Sequence, residues 1–170
     1  MKTLLIVLMA ILVATTANAM VREVSLGYLA HNADIIVRAE IEFAKTVGTL
    51  PNGLSVIANQ ATVNAVIKGE VKQGDKLRIK TYGNIEDLPT FEPGKLLVLF
   101  LKKVDNYYEV FCGLQGAWPI YEGKFTGFGN GKTTDDIRDA LAKPETPKFE
   151  EKIVLPKIEF DFKKFIKKDK

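Results

Sequence analysis

The chain has 170 residues, of which 46% are hydrophobic, and a formal net charge of +3. Such a length suits a single domain with its own core. The excess positive charge lies in residues 143–170, which hold nine Lys and six acidic residues, so residues 20–142 are nearly neutral and give no support for nucleic-acid binding. Cys112 is the only cysteine, which excludes an intramolecular disulfide.

The first nineteen residues have the organisation of an export signal. Lys2 supplies a positive charge, residues 4–14 are all apolar, and Ala17-Asn18-Ala19 forms the small-x-small pattern that signal peptidases read. This apolar run is shorter than the roughly 20 residues that cross a bilayer. We therefore expect cleavage between Ala19 and Met20, export to the periplasm or the extracellular space, and membrane contact only during export. An uncleaved N-terminal anchor is the alternative.

Periodicity after residue 20 predicts a short helix followed by five strands. Residues 21–32 form the predicted helix, with Ser25 as its N-cap. A period of two is clearest after residue 34, where one face is predicted to point inward and the other to be largely exposed to water. That inward face consists of Ile35, Val37, Ala39 and Ile41. The predicted strands span residues 34–43, 61–68, 76–82, 95–103 and 107–114, and residues 45–60 and 83–94 are predicted loops.

The remainder of the chain is predicted to be mostly irregular. Glycines punctuate residues 113–131, and a short helix near 134–142 begins at Thr133 or Thr134, with Ile137 and Leu141 on one face. Residues 143–170 form a tail rich in Lys, Glu and Pro. We therefore predict a signal peptide over 1–19, one domain over 20–142 and a polar C-terminal tail over 143–170.

Five short strands with one N-terminal helix predict an all-β fold. A small closed or partly open barrel of OB-like type accommodates five strands. A two-sheet sandwich is the alternative, although it usually contains about seven strands.

Several segments resemble the tissue inhibitors of metalloproteinases. Residues 32–41, Asn-Ala-Asp-Ile-Ile-Val-Arg-Ala-Glu-Ile, are similar to the first strand of that family, which typically reads Cys-Asn-Ala-Asp-Val-Val-Ile-Arg-Ala-Lys-Val. Segments that look like the family's later strands follow in the same order, at residues 63–69, 77–83, 94–101 and 108–119. The resemblance covers residues 21 to about 120 and implies the netrin-like version of the OB-fold, a five-stranded Greek-key barrel.

The departures from this family concern its inhibitory group. Those inhibitors begin their mature chain with Cys, whose amine and carbonyl chelate the protease zinc, whereas the predicted first residue here is Met20. His31 stands where the family has a disulfide cysteine, and Cys112 matches a family cysteine whose partner is missing. The resemblance therefore implies the scaffold without the chelating cysteine.

Sequence signals for chemistry are weak. Residues 126–133, Thr-Gly-Phe-Gly-Asn-Gly-Lys-Thr, nearly match a phosphate-binding loop, but no apolar strand precedes them and two aspartates follow. A Cys112–His31 dyad is one open alternative, yet Cys112 is predicted to face inward. Lys76, Arg78 and Lys80 form a basic stripe that could bind an acidic polymer or simply be a solvated face. We therefore predict no catalytic, cofactor-binding, nucleotide or metal site.

The predicted function is an exported, non-enzymatic binding or interaction module on a netrin-like OB barrel, whose partner is an unknown protein or envelope ligand. A proteinase inhibitor that uses the mature N-terminus and the 45–60 loop is the second hypothesis, and a hydrolase with an unrecognised site is the third. The candidate interaction edge consists of Met20, Val21, Pro51, Asn52, Gly53 and Trp118.

Overall fold

The computed structural model describes residues 23–83 and 85–144. The predicted signal peptide, the cleavage site at Ala19 and Met20, and nearly all of the predicted tail lie outside the described residues. The helices and strands, in chain order, are α1 (Leu26–Asn32), β1 (Ile35–Thr49), β2 (Ser55–Lys68), β3 (Lys76–Gly83), β4 (Leu96–Val104), β5 (Tyr107–Val110), β6 (Ala117–Tyr121), β7 (Lys124–Phe125) and α2 (Thr134–Ala142).

Five of the strands close into a barrel. Neighbouring strands follow the order β1, β2, β3, β5 and β4, and β4 returns to pair with β1 from Ile35 to Glu40. All pairings are antiparallel except that of β3 with β5, which is parallel and has only two residue pairs, Ile79 with Tyr108 and Lys80 with Glu109. This topology confirms the predicted all-β, OB-like barrel over the sandwich.

The core has two main apolar clusters, one on each side of the barrel wall. The inner cluster contains the four residues that alternation placed inward on β1, namely Ile35, Val37, Ala39 and Ile41. The outer cluster forms where α1 and α2 cover the wall, and Ile36, Phe100 and Trp118 belong to it. The start of β1 is therefore buried on both faces, whereas the sequence predicted one wet face.

Both helices begin at the predicted caps, but α1 starts only at Leu26, so residues 23–25 of the predicted 21–32 helix precede it. The Ser25 hydroxyl accepts a hydrogen bond from Tyr28 N at 3.2 Å. Thr133 and Asp136 form a capping box at the start of α2, and Ile137 is fully buried below it. The end of α1 is held by Lys68 of β2, whose ammonium donates to the carbonyls of Ala30, His31 and Ala33 at 2.6 to 2.9 Å.

The prediction that residues 45–60 form a loop is wrong. β1 continues to Thr49 and β2 starts at Ser55, so the two strands form one long hairpin. The pairing register shifts between Ile41 and Phe43 and again between Thr46 and Gly48, which leaves one extra residue in β1 at each place. Because bulges of this kind break the period of two, the alternation signal disappears although the strand continues.

The prediction for residues 107–121 also needs correction. β5 ends at Val110, not at Leu114, because Cys112 and Gly113 adopt positive φ angles of 57° and 58° and a short 3₁₀ turn follows. The chain then forms β6, where a loop was predicted. β6 pairs with the same β4 strand, Trp118 opposite Val98, so Trp118 and Pro119 are strand residues.

Candidate functional site

The interior of the barrel is filled by apolar side chains. Buried residues from β1 to β4 and β6 pack there together with Phe91 of the β3–β4 loop. The buried Asn59 shares this face and is tied down, because its amide donates to Thr81 Oγ1 at 2.9 Å and to the carbonyl of Ile79 at 3.2 Å. A surface of the molecule is therefore the place to look for recognition.

One edge of β1 has no backbone partner among the described residues. Up to Glu40, β1 lies between β2 and β4, and Ile41 still exchanges hydrogen bonds with Gly94 and Lys95. A turn at Glu92–Lys95 then takes the preceding chain away, and β1 pairs only with β2 from Phe43 onward. We call the side of residues 43–49 that faces away from β2 the free edge; at about 3.3 Å per residue it is roughly 20 Å long.

The register identifies the backbone groups that point toward the free edge. The N–H of Ile41 donates to Lys95, away from β2, so its pair with Ala61 is not hydrogen bonded across the two strands. Hydrogen-bonded and non-hydrogen-bonded pairs alternate along an antiparallel ladder. Counted along β2, the next two pairs without hydrogen bonds between the strands are those of Ala44 and Thr46. The N–H and C=O groups of these two residues therefore face the free edge, where no described residue pairs with them.

The free edge has features that disfavour pairing with the free edge of a second copy of the chain. The two bulges confine a regular ladder to Phe43–Thr46, and the exposed Lys45 lies in the middle of this segment. Two identical edges aligned antiparallel would bring two Lys45 ammonium groups close together, which disfavours self-pairing. A strand of different sequence with an acidic residue near Lys45 would meet no such repulsion.

A tight turn closes the hairpin beyond the free edge. Gly53 N donates to the carbonyl of Leu50 at 2.9 Å, and Leu50 N donates to that of Leu54 at 2.8 Å. Gly53 has φ +85°, a conformation that glycine adopts at little cost. Pro51, Asn52 and Gly53, three members of the predicted interaction edge, are exposed in this turn.

A buried ionic cluster supports the hairpin from the outer side of the barrel. The Lys80 side chain is 3% exposed and its ammonium lies 2.8 Å from Glu109 Oε1 and 2.6 Å from the Tyr107 hydroxyl. Burial by itself lowers the pKa of Lys80, but the bonds to Glu109 and Tyr107 outweigh it and the net direction is upward. Val47 of the free edge packs beside Ala58 and Tyr107, so the edge rests on a buried layer.

The basic stripe predicted on β3 is not a continuous solvated face. Lys80 is buried in the cluster just described, and Lys76 forms an ion pair with Glu42 at 3.0 Å. Hydrogen bonds from Thr62 and Gln60, followed by that from Lys76, lower the pKa of Glu42 to about 2. Two of the three cations are thus committed to partners within the chain, which removes the reason to expect binding of an acidic polymer here.

Trp118 does not belong to an exposed interaction edge, so this part of the prediction is wrong. It is 2% exposed, its indole N–H donates to the carbonyl of Gln115 at 2.7 Å, and its ring packs on Phe100 and Phe125. Pro51, Asn52 and Gly53 lie at the far end of β1, and Met20 and Val21 lie outside the described residues. Trp118 anchors the outer cluster instead.

The residues considered for chemistry have structural partners. His31 Nε2 lies 3.0 Å from the carbonyl of Ala140 and 2.8 Å from that of Lys143, so it donates to the end of α2. Cys112 packs into the outer cluster, and burial raises its pKa to about 11. The structure does not pair these two side chains, and the described residues contain no group of three or more His, Cys, Asp or Glu placed to hold a metal ion.

The glycine-rich segment before α2 is a turn that covers Trp118. Gly127–Gly129 form one 3₁₀ turn, and a Cβ on Gly129 would lie 2.6 Å from Trp118 Cδ2. The close approach to an aromatic ring explains glycine at position 129. Lys132 then leads into the capped helix, with acidic residues in its first turn.

The comparisons add no family to this description. No protein-family model matches the chain, and a search of curated proteins finds no similar sequence. None of the helices within residues 23–83 and 85–144 is long and apolar enough to span a bilayer.

The free edge is the feature that sequence reasoning missed. Its signal was present in the turn at Pro93-Gly94, which fixes the start of β4 and so limits how much of β1 can be covered. Reading that signal requires knowledge that β1 continues to Thr49, and the bulges hide this continuation.

Proposed function

We propose that the protein is an exported, non-enzymatic binding module that recognises an extended polypeptide through the free edge of β1. The observation that carries this proposal is a preformed strand edge, unpaired among the described residues and supported by a closed barrel. Its open N–H and C=O groups, at Ala44 and Thr46, match the backbone of an added strand. Main-chain pairing would supply affinity, and side chains beside the edge would supply selectivity.

The chemistry of the edge suggests the kind of partner. Lys45 lies between the two residues whose backbone groups are open, so an acidic residue on the partner strand is favoured. The bulges at both ends limit the ladder to about four residues. The proposed ligand is therefore a short extended segment of another protein, with an acidic side chain near its centre.

Different observations support the proposed export and the proposed non-enzymatic role. The export proposal rests on the order of charged, apolar and small residues before Met20. The non-enzymatic proposal rests on His31 and Cys112, the two residues that a thiol dyad would need. His31 is hydrogen bonded to the end of α2, and Cys112 is partly buried.

The second hypothesis, a proteinase inhibitor, needs the mature N-terminus beside the hairpin turn. Val24 N donates to Gln115 Oε1 at 2.6 Å, which places the start of the described chain near the beginning of β6. Through their shared neighbour β4, the start of β6 lies at the level of Val37 on β1. Val37 precedes the hairpin turn by roughly a dozen residues. This arrangement favours the binding module.

Export is tested by mass spectrometry of the protein isolated from its native host. The proposal expects mature material that begins at Met20. Mature material with an intact Met1 would contradict export by this route.

Binding through the edge is tested by affinity capture with matched variants. Thr46→Pro removes a donor that faces the free edge and leaves the bonds between β1 and β2 intact, and proline is tolerated on strand edges. Thr46→Val keeps the N–H and the β-branched shape, and so serves as the control. We expect a partner from the envelope extract that binds the wild type and Thr46→Val but is lost with Thr46→Pro, all three proteins having the same Trp118 fluorescence. Equal capture by all three would refute recognition through the edge.

A further inference from the structure

The chain contains two Asn-Gly pairs, and the structure treats them differently. Asn52-Gly53 lies in the hairpin turn and Asn130-Gly131 lies between the 3₁₀ turn and α2. All four residues are exposed, and both glycines have open space around the position of a Cβ. The two pairs are thus similarly exposed, but they differ in their hydrogen bonding.

In Asn52-Gly53, hydrogen bonds hold both the asparagine side chain and the glycine N–H. The backbone N–H of Gly53 donates to the carbonyl of Leu50 at 2.9 Å, and Asn52 Oδ1 accepts a bond from Leu54 N at 3.3 Å. In the second pair, the side chain of Asn130 and the N–H of Gly131 have no partner among the described residues. Asn130 has φ −57° and ψ 130°. Rotation about its Cα–C bond turns the planar peptide group that joins it to Gly131, and that group has no hydrogen bond to break among the described residues.

We infer that Asn130 is a site of spontaneous covalent modification in the folded protein, whereas Asn52 is protected. The backbone nitrogen of Gly131 loses its proton and bonds to Cγ of Asn130, and the side-chain nitrogen leaves as ammonia. Water then opens the resulting five-membered succinimide at one of its two carbonyls. The products are aspartate or isoaspartate, so an amide becomes a carboxylate and one negative charge is gained.

The position of Asn130 gives this modification a local consequence. The new carboxylate lies three residues before the N-cap Thr133, where the positive end of α2 favours negative charge. The isoaspartate form also inserts one methylene into the backbone beside Gly129, which packs tightly on the Trp118 ring. Modified molecules should therefore expose Trp118 more readily to a soluble quencher.

The test follows both sites in one sample. The purified protein is incubated at mildly alkaline pH, digested with trypsin and analysed by mass spectrometry, which separates Asn130 in peptide 125–132 from Asn52 in peptide 46–68. Two hydrogen bonds of ordinary strength account for a preference for Asn130 of about thirtyfold in the folded protein. In denaturant the two pairs should convert at similar rates. Asn130→Gln should abolish the change in its peptide and leave that of Asn52 unaltered.

Three outcomes would overturn the inference. Asn52 could convert as fast as Asn130 in the folded protein, or neither could convert there although both do so in denaturant. The same preference for Asn130 in denaturant would show that local sequence, not the fold, decides. None of these outcomes bears on recognition through the free edge, because the two proposals rest on different residues.

Discussion

The ion pair between Lys80 and Glu109 should contribute to stability in an asymmetric way. It lies across the β3–β5 seam, where only two residue pairs close the barrel. The Lys80 side chain is 3% exposed and that of Glu109 is 25% exposed. Loss of Glu109 therefore leaves a buried ammonium behind, whereas loss of Lys80 leaves a carboxylate that water can reach.

Glu109→Gln should be the costlier change. It removes the negative charge beside a buried ammonium, whose other contacts are the Tyr107 hydroxyl and the tyrosine rings, with the Tyr107 centroid at 4.3 Å. Removing one partner of a buried pair typically costs 3–5 kcal/mol, and the retained acceptor of Gln places this case near the lower end, at about 3 kcal/mol. Lys80→Met leaves Glu109 able to turn to water and should cost about 1–2 kcal/mol through lost hydrogen bonds.

Urea unfolding followed by emission of Trp118, the only tryptophan, measures these differences. The double variant should resemble Lys80→Met alone, which gives a coupling of about 3 kcal/mol between the two sites, equal to the cost of Glu109→Gln. Lys76→Met is the matched control on the same strand; its side chain is 60% exposed, and its loss should cost less than about 1 kcal/mol. Additive effects, or a cost for Lys80→Met above that for Glu109→Gln, would refute the reasoning.

The raised pKa of Lys80 also predicts a dependence on alkaline pH. Because the folded pKa lies above the unfolded value of about 10.4, the stabilisation is complete below that pH and is lost as pH rises through the folded pKa. The wild type should therefore lose its advantage over Lys80→Met above about pH 10.4, with no change in their difference at neutral pH.

Three further predictions concern acid pH, the thiol and close packing. The pKa of Glu42 is lowered to about 2, so its contribution to stability is present above its ordinary value of 4.5 and lost as pH falls below it; urea midpoints of Glu42→Gln should show a weaker acid dependence than the wild type. Burial and the pKa of about 11 mean that Cys112 should react with a thiol reagent far more slowly in the folded protein than in denaturant; rapid native labelling would show an accessible thiol. Gly129→Ala would force a Cβ against the Trp118 ring and should cost about 1–3 kcal/mol in urea unfolding, whereas Gly48→Ala, with nothing within 4 Å, should stay within about 0.5 kcal/mol.

The barrel could be predicted from the sequence because its strands alternate where they line the core. Ile35, Val37 and Ala39 are inward as expected, and the caps of both helices are where their side chains indicated. These features depend on residues close in sequence or on one face of one strand. A single chain is sufficient to recognise them.

The candidate site could not be predicted in the same way. The hairpin was missed because two bulges interrupt the alternation within a continuous strand. Alternation predicted that Lys80 points outward from the barrel, but it could not predict that the side chain is buried. The residues that bury it, Tyr107 and Glu109, belong to another strand. Trp118 was assigned to a loop because Pro119 and nearby glycines are typical of turns, although its partner strand β4 makes it part of the sheet.

Amide hydrogen exchange at the free edge tests the central claim most directly. In the free protein, the account predicts fast exchange at Ala44 and Thr46 and slow exchange at Phe43 and Lys45, whose N–H groups face β2. With the captured partner bound, Ala44 and Thr46 should become protected by at least about fivefold, the effect of one added hydrogen bond of ordinary strength. Protection of Ala44 and Thr46 in the free protein, or unchanged fast exchange when the partner is bound, would contradict recognition through this edge.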